Sequence, residues 1–430
     1  MVLLLSLAMT LLGAFAALVY GPVKHTCEVM GLFRPHGDAW VNIHGIENRV
    51  IPDTVACEDL HYHEASGMLY SACSGDIEEM AGWFPGATAL DHPEKASHGT
   101  LVVIDPKTMR SQKLTLSNFK GPFVAHGISV FSSASDPKTV YVFAINHLPN
   151  PLWKAGSSTQ PKAASQIEVF THTVGSRTAK HLRSISHPKI RTPNDVLALS
   201  EHEFLVTNDH YYREGPMRLV EELIRDLRAW TDLVHVRFDD EGNVNATVSL
   251  DSIPTNNGLG WGPDRQQVLI SDAIGGRIYF AGLPDPANRT VVVSHHVKTG
   301  SVVDNPKYFS DPYAGLDGKG KDYSGYLLPG IGRGLDFVNN YGDATGKAPL
   351  SSHVAYLPAV AGKDKARSLE NPARLIFSDD GTAMRGATTG VLVAIDPAVN
   401  DGKREGWLFV TGVVAPHMLA TRIDFETVLG

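Results

Sequence analysis

Short strand-like runs, each closed by a turn residue, recur along nearly all of this 430-residue chain and leave few architectures open to it. TLVVIDP from Thr100 is followed by TVYVFAIN from Thr139, QIEVFTH from Gln166, DVLALSEHEFLVTND from Asp195 and LVHVRFDDEGN from Leu233. QVLISDAIGGRIYFAGL from Gln267, ARLIFSDDGT from Ala373, GVLVAIDP from Gly390 and GWLFVTGV from Gly406 continue the series. Runs rich in β-branched and aromatic residues that end in Asp, Asn or Gly read as strands closed by turns. The pattern interleaves no amphipathic helices, so it predicts an all-β closed or radial fold, and its loose repeat of strand, turn and strand predicts propeller blades. A pair of packed sheets is the alternative. Two segments break the rhythm, one at about 213–230 with Leu219, Leu223 and Leu227 at helical spacing, the other a Gly-rich stretch at 306–349. Both are expected as excursions over one face, where long loops often carry function.

A net charge of -8 without a long basic run argues against a nucleic-acid partner. From Val2 to Tyr20 the chain is almost wholly apolar. Residues 1–20 therefore read as a signal peptide or an uncleaved signal anchor, which predicts the secretory pathway and, with the leader retained, membrane association. Residues 27–430 are expected as a single domain. Two glycosylation sequons, at Asn245 and Asn288, fit export. Of the three cysteines, Cys57 and Cys73 bracket an apparent hairpin and are the expected disulfide, with Cys27 free or pairing elsewhere.

The chemistry is signalled by adjacent short side chains that carry oxygen: Glu58-Asp59, Asn194-Asp195, Asn208-Asp209, Asn256-Asn257 and Asp304-Asn305. Any one of these pairs alone reads more readily as a turn cap than as a ligand. Their number, without paired cysteines, points to a hard cation that takes six to eight oxygens, calcium before zinc. Neighbours on a strand face opposite ways. Strands converging on a channel would let Glu58 serve one ion and Asp59 another at a different depth.

At these residues the sequence resembles the serum paraoxonase/arylesterase family of calcium-dependent lactonases. CEDLHY from Cys57, AHGISVF from Ala125, AINHL from Ala144, PNDVLAL from Pro193, FLVTNDHYY from Phe204, NNGLGWGPD from Asn256 and VVDN from Val302 stand in family order. The resemblance implies a six-bladed β-propeller with two calcium ions in its tunnel and a small lactone or ester as substrate. Carried over by position, it gives the catalytic ion to Glu58, Asn194, Asn257, Asp304 and Asn305. The structural ion goes to Asp59, Asp195 and the carbonyl of Ile128. His126 and His147 match the family's histidine dyad, in which one ring takes a proton from water and the other orients it. No Gly-x-Ser-x-Gly elbow is present, in keeping with direct attack by water.

Phe84, Tyr211, Tyr212 and Trp261 are expected as apolar pocket walls, and His210, His353 and His417 as structural or pocket-lining residues. The family's link between an N-terminal and a C-terminal cysteine is missing, since MLATRIDFETVLG carries none to meet Cys27. The expected activity is hydrolysis of lactones and aryl esters. The alternatives are a sugar lactonase on the same scaffold and a secreted propeller whose calcium only braces a binding surface.

Overall fold

The computed structural model describes residues 2–35, 39–157, 160–284, 289–316, 321–343, 345–359 and 373–430, with 2–8, 11, 12 and 252 described as backbone only. The strands assemble into six sheets taken in chain order. Their innermost strands are Cys57–His63, Ala125–Ser132, Pro193–Ser200, Asn256–Trp261, Lys307–Phe309 and Ala387–Ala394. Each abuts the innermost strand of the next sheet, and the sixth returns to the first. The chain is a six-bladed β-propeller, and the packed-sheet alternative falls away.

Strand alternation explains why the runs are apolar on both faces. Leu69 packs into the cluster shared with the sixth blade, while its neighbour Tyr70 faces the second blade. Leu327 and Leu328 divide in the same way between the sixth and fourth blades. Every blade thus buries one side chain set against each neighbour, and each such Leu or Phe contributes roughly 1.5–3 kcal/mol of transfer free energy. Non-covalent pairing closes the ring. The sixth blade takes its outermost strand, Glu47–Ile51, from the N-terminal side, with Glu47 opposite Arg422 and Ile51 opposite Met418. Cys27 is a free thiol, whereas Cys57 and Cys73, opposite each other in the first blade, are bonded.

Helix α1, Val2–Val29, runs past Tyr20, and its end docks on the body, where Val29 is buried and Arg225 Nη1 donates to Thr26 Oγ1 at 2.8 Å. Among the described residues no helix is long and apolar enough to cross a membrane. The 213–230 excursion carries helix α3, Pro216–Ile224, after the short α2, Ile77–Gly82.

The 306–349 stretch is not one loop. Lys307–Phe309 and Gly325–Ile331 are the first two strands of the fifth blade, and helix α4, Gly334–Asn340, follows them. Its glycines mark close packing as well as turns: a Cβ on Gly330 would lie 2.0 Å from the Val302 carbonyl oxygen. Asn245 is exposed on the outer strand Val244–Ile253 of the third blade, and Asn288 lies outside the described residues.

Candidate functional site

The innermost strands do not alternate strictly at their central ends. Pairing breaks register between Cys57 and Leu60, Ala125 and Ile128, Pro193 and Val196, and Asn256 and Leu259. Such irregularities let two consecutive side chains depart from opposite-face pointing. Glu58 and Asp59 therefore both enter the central cluster, as do Asn194 and Asp195.

The first half of the cluster is short of partners. Glu58 Oε2 and the Oδ1 atoms of Asn194, Asn257, Asp304 and Asn305 are all buried without a hydrogen bond. Neighbours hold several of the other polar atoms. Asn305 Nδ2 donates to Glu58 Oε1 at 2.9 Å and to Thr389 Oγ1 at 3.1 Å, and Thr388 Oγ1 donates to the Glu58 carbonyl. Gly258 lets the fifth blade approach, since a Cβ there would stand 2.4 Å from Asn305 Oδ1.

Each buried acceptor without a partner costs on the order of 1–3 kcal/mol. Oxygen-only donors of this kind fit calcium, so these five residues could hold one. Among the described residues no group of three or more His, Cys, Asp or Glu side chains is arranged to hold a metal; this donor set is mostly amide. Burial, then Asp304, Asp59 and Asp195, pushes the Glu58 carboxyl well above the usual carboxylate range. Burial and Asp59 hold Asp304 up at about 8.

The second half is closed. Asp59 Oδ1 accepts from Lys307 Nζ at 2.9 Å and from Thr389 Oγ1 at 3.0 Å, and Asp59 Oδ2 accepts from the Ile128 amide at 3.1 Å. Asp195 Oδ1 and Oδ2 each accept at 2.7 Å, from the Val196 and Leu259 amides. Burial works against the charge on Lys307, but Asp59 and Asp195 outweigh it and raise its pKa.

His126 Nδ1 lies 2.9 Å from His147 Nε2, and His147 Nδ1 lies 2.8 Å from Ser165 Oγ. Asn194 Nδ2 is 3.4 Å from His126 Nε2, and Glu58 Oε1 is 3.9 Å from it. With Asn194 as donor, the network assigns the His126 proton to Nδ1, donated to His147, whose own Nδ1 proton goes to Ser165. Burial lowers His126 to about 4 and, together with His126, holds His147 well below the ordinary histidine range, so both rings are neutral near pH 7. Phe84 packs edge-on against both, with ring centroids 4.7 and 5.6 Å away.

A cavity of about 620 Å³ opens above this cluster, with Glu58, Asn194, Asn257, Asp304 and His126 at its floor. Phe84, Leu219 of α3, Ile331, Phe337 and Val338 of α4, and Tyr341 form its apolar wall. His147 stands behind His126 and does not reach the cavity. Tyr211 and Tyr212, expected in the wall, are not part of it. Tyr211 is 52% exposed under the Arg191 guanidinium, and Tyr212 packs on Trp230. Trp261 packs between the third and fourth blades. His210 does line the cavity, 3.3 Å from both Asp209 and Glu222, while His353 pairs with Ser301 and His417 with the Ala383 carbonyl.

The sequence reading passed over Ser165, Thr388, Thr389 and Lys307. Ser165 carried no signal, being one serine in a strand. Lys307 did carry one: it is a cation two residues beyond Asn305, at the start of the strand that follows.

The sequence model of the Arylesterase family matches residues 80–315. Serum paraoxonase/arylesterase 2 of Rattus norvegicus is 26% identical over 226 residues, 52% of this chain and 56% of that one. Serum paraoxonase/lactonase 3 of Oryctolagus cuniculus is 27% identical over 226 residues, with the same shares. The chain spans about half the length of the curated relatives it matches. A luciferin-regenerating enzyme superposes with a TM-score of 0.46 at 11% identity, over 88% of this chain and 95% of that one. The matched residues 80–315 make up more than half of the 430 and carry His126, Asn194, Asn257 and Asp304, and the chain belongs to the arylesterase family.

Proposed function

We propose that this protein is a calcium-dependent hydrolase of lactones and aryl esters that works by direct attack of water. The observation that carries the reading is the set of five buried, unpartnered oxygens, four of them on residues that line the floor of one cavity beside a neutral histidine. The relatives, a serum paraoxonase/arylesterase and a serum paraoxonase/lactonase, support the substrate class. Calcium held by Glu58, Asn194, Asn257, Asp304 and Asn305 would polarise the ester carbonyl and stabilise the oxyanion that develops on it.

The chain's own groups do the rest. His126 Nε2 takes a proton from the attacking water as its oxygen bonds to the acyl carbon. The bond to the leaving alkoxide or phenolate then breaks, and that oxygen takes the proton from Nε2. His147, fixed by Ser165, keeps Nε2 of His126 free of a proton and acts as a positioning residue. The apolar wall holds the acyl or aryl group and excludes bulk water. Residues 1–20 are read as a leader into the secretory pathway, where the exposed Asn245 would be open to glycosylation.

The test is turnover of a panel of γ- and δ-lactones and phenyl acetate by the full chain, with and without chelation, beside Asn257→Ala. Turnover that is lost on chelation and in the variant, with the variant's melting temperature retained, supports the reading. If no ester turns over while calcium still raises the melting temperature, the ion only braces the propeller and the hydrolase reading fails.

A further inference from the structure

We infer that the Lys307 ammonium takes the place of a second calcium, so that this protein holds one calcium where the family resemblance implies two. Asp59 and Asp195, the two carboxylates of the second half, have no oxygen among the buried unpartnered atoms, whereas every proposed ligand of the first half has one. Lys307 Nζ sits 2.9 Å from Asp59 Oδ1, and its side chain is only 15% exposed. The Ile128 and Leu259 amides, which belong to the second and fourth blades, take the outer oxygens of the same two carboxylates. A divalent ion bridging the two carboxylates would have to displace the ammonium from Asp59.

The charges agree with this placement. Glu58, Asp59, Asp195 and Asp304 carry four negative charges when ionised. One calcium and one ammonium supply three positive ones. A second calcium would set two more beside an ammonium that cannot leave its strand, and like charges at that range repel strongly inside a protein. Lys307 reaches the spot from the first position of the innermost strand of the fifth blade, two residues after Asn305. The closed half lies away from the cavity, whose floor includes neither Asp59 nor Asp195. The consequence is a built-in brace: the half of the centre that ties the blades together needs no metal, and only the half that faces substrate does. The inference rests on the calcium reading for the first ion alone, and the experiment separates the two.

The experiment counts calcium. The full-length protein is chelated, returned to calcium-free buffer and titrated with calcium chloride by calorimetry, with metal analysis of the loaded protein and thermal melting alongside. The wild type is expected to take up one calcium per chain and Lys307→Ser one more, with calcium raising the melting temperature of the variant by more than that of the wild type. Two calcium ions in the wild type overturn the inference, and so does an equal count in wild type and variant. None in the wild type but one in Lys307→Ser upholds the lysine's role and overturns the calcium-hydrolase reading. If Lys307→Ser does not fold without calcium, it is counted after refolding in calcium, where two per chain uphold the inference and one overturns it; without recovery, the wild-type count decides.

Discussion

Glu58 and Asp59 are neighbours in sequence and in space, yet they sit in opposite chemical states. Around Glu58 the oxygens of Asn194, Asn257, Asp304 and Asn305 are buried and unpartnered. Around Asp59 every oxygen is met by an amide, a hydroxyl or the Lys307 ammonium. The difference teaches where a site keeps its reactivity. A carboxylate cluster that is satisfied internally contributes to the fold, and one left unsatisfied at a cavity floor is stabilised only by something that arrives there.

Substitutions at the open half should act on activity first. His126→Gln removes the proposed base and is expected to lower kcat on phenyl acetate by about 10²–10⁴-fold. Full activity in this variant would mean that another group takes the proton. Glu58→Gln is expected to lower the rate by about 10²–10³-fold, in line with loss of one electrostatic stabiliser of the transition state. The same change removes a carboxylate repelled by Asp304, Asp59 and Asp195, so the calcium-free melting temperature should rise. A fall would show that Glu58 braces the fold as Asp59 does, and the contrast would collapse.

The closed half should respond in stability. Asp59→Asn leaves the Lys307 ammonium without its charged partner and is expected to cost about 3–5 kcal/mol in urea unfolding. A cost below about 1 kcal/mol, the range of surface pairs, would show that the pair is not buried in effect.

Acidity sharpens the contrast further. The Asp304 carboxyl sits at about 8 in the folded protein, above its ordinary 3.8, so its contribution to stability is present in acid and is lost as pH rises through 8. The buried His126, lowered from 6.5 to about 4, has the opposite sign: its contribution is present above 6.5 and is lost as pH falls toward 4. Of these two groups only the carboxylate acts between pH 6.5 and 8, and the raised Glu58 carboxyl acts in the same direction. The melting temperature of the calcium-free protein should therefore fall across that window, and saturating calcium should flatten the slope. A flat calcium-free profile would place Asp304 in an ordinary environment. The smallest effect is expected at the rim. Leu219 is 59% exposed and lines the cavity, so Leu219→Ala should raise KM for substrates with long acyl chains by about 10-fold or less while stability stays within about 0.5 kcal/mol.

Much of this was legible in the chain. The apolar runs predicted blades because each strand must bury both faces, as Leu69 and Tyr70 do. The paired oxygen side chains marked the centre, since few other patterns place carboxylates beside amides on successive inner strands. Tyr211 and Tyr212 depart from the expected wall because aromatic content says nothing of direction, and Tyr211 is half exposed. The 306–349 stretch misled because glycine serves close strand packing at Gly330 as well as it serves turns.

The sequence by itself determined the period of the strands, the kind of donor at the centre and the family to which the chain belongs, because these depend on residue type and order along one line. Only the tertiary structure decided which oxygens remain unpartnered, that His147 stands behind His126, and that a lysine closes the Asp59 half. Those outcomes depend on six inner strands meeting at one axis, where residues 330 positions apart, such as Asp59 and Thr389, share hydrogen bonds.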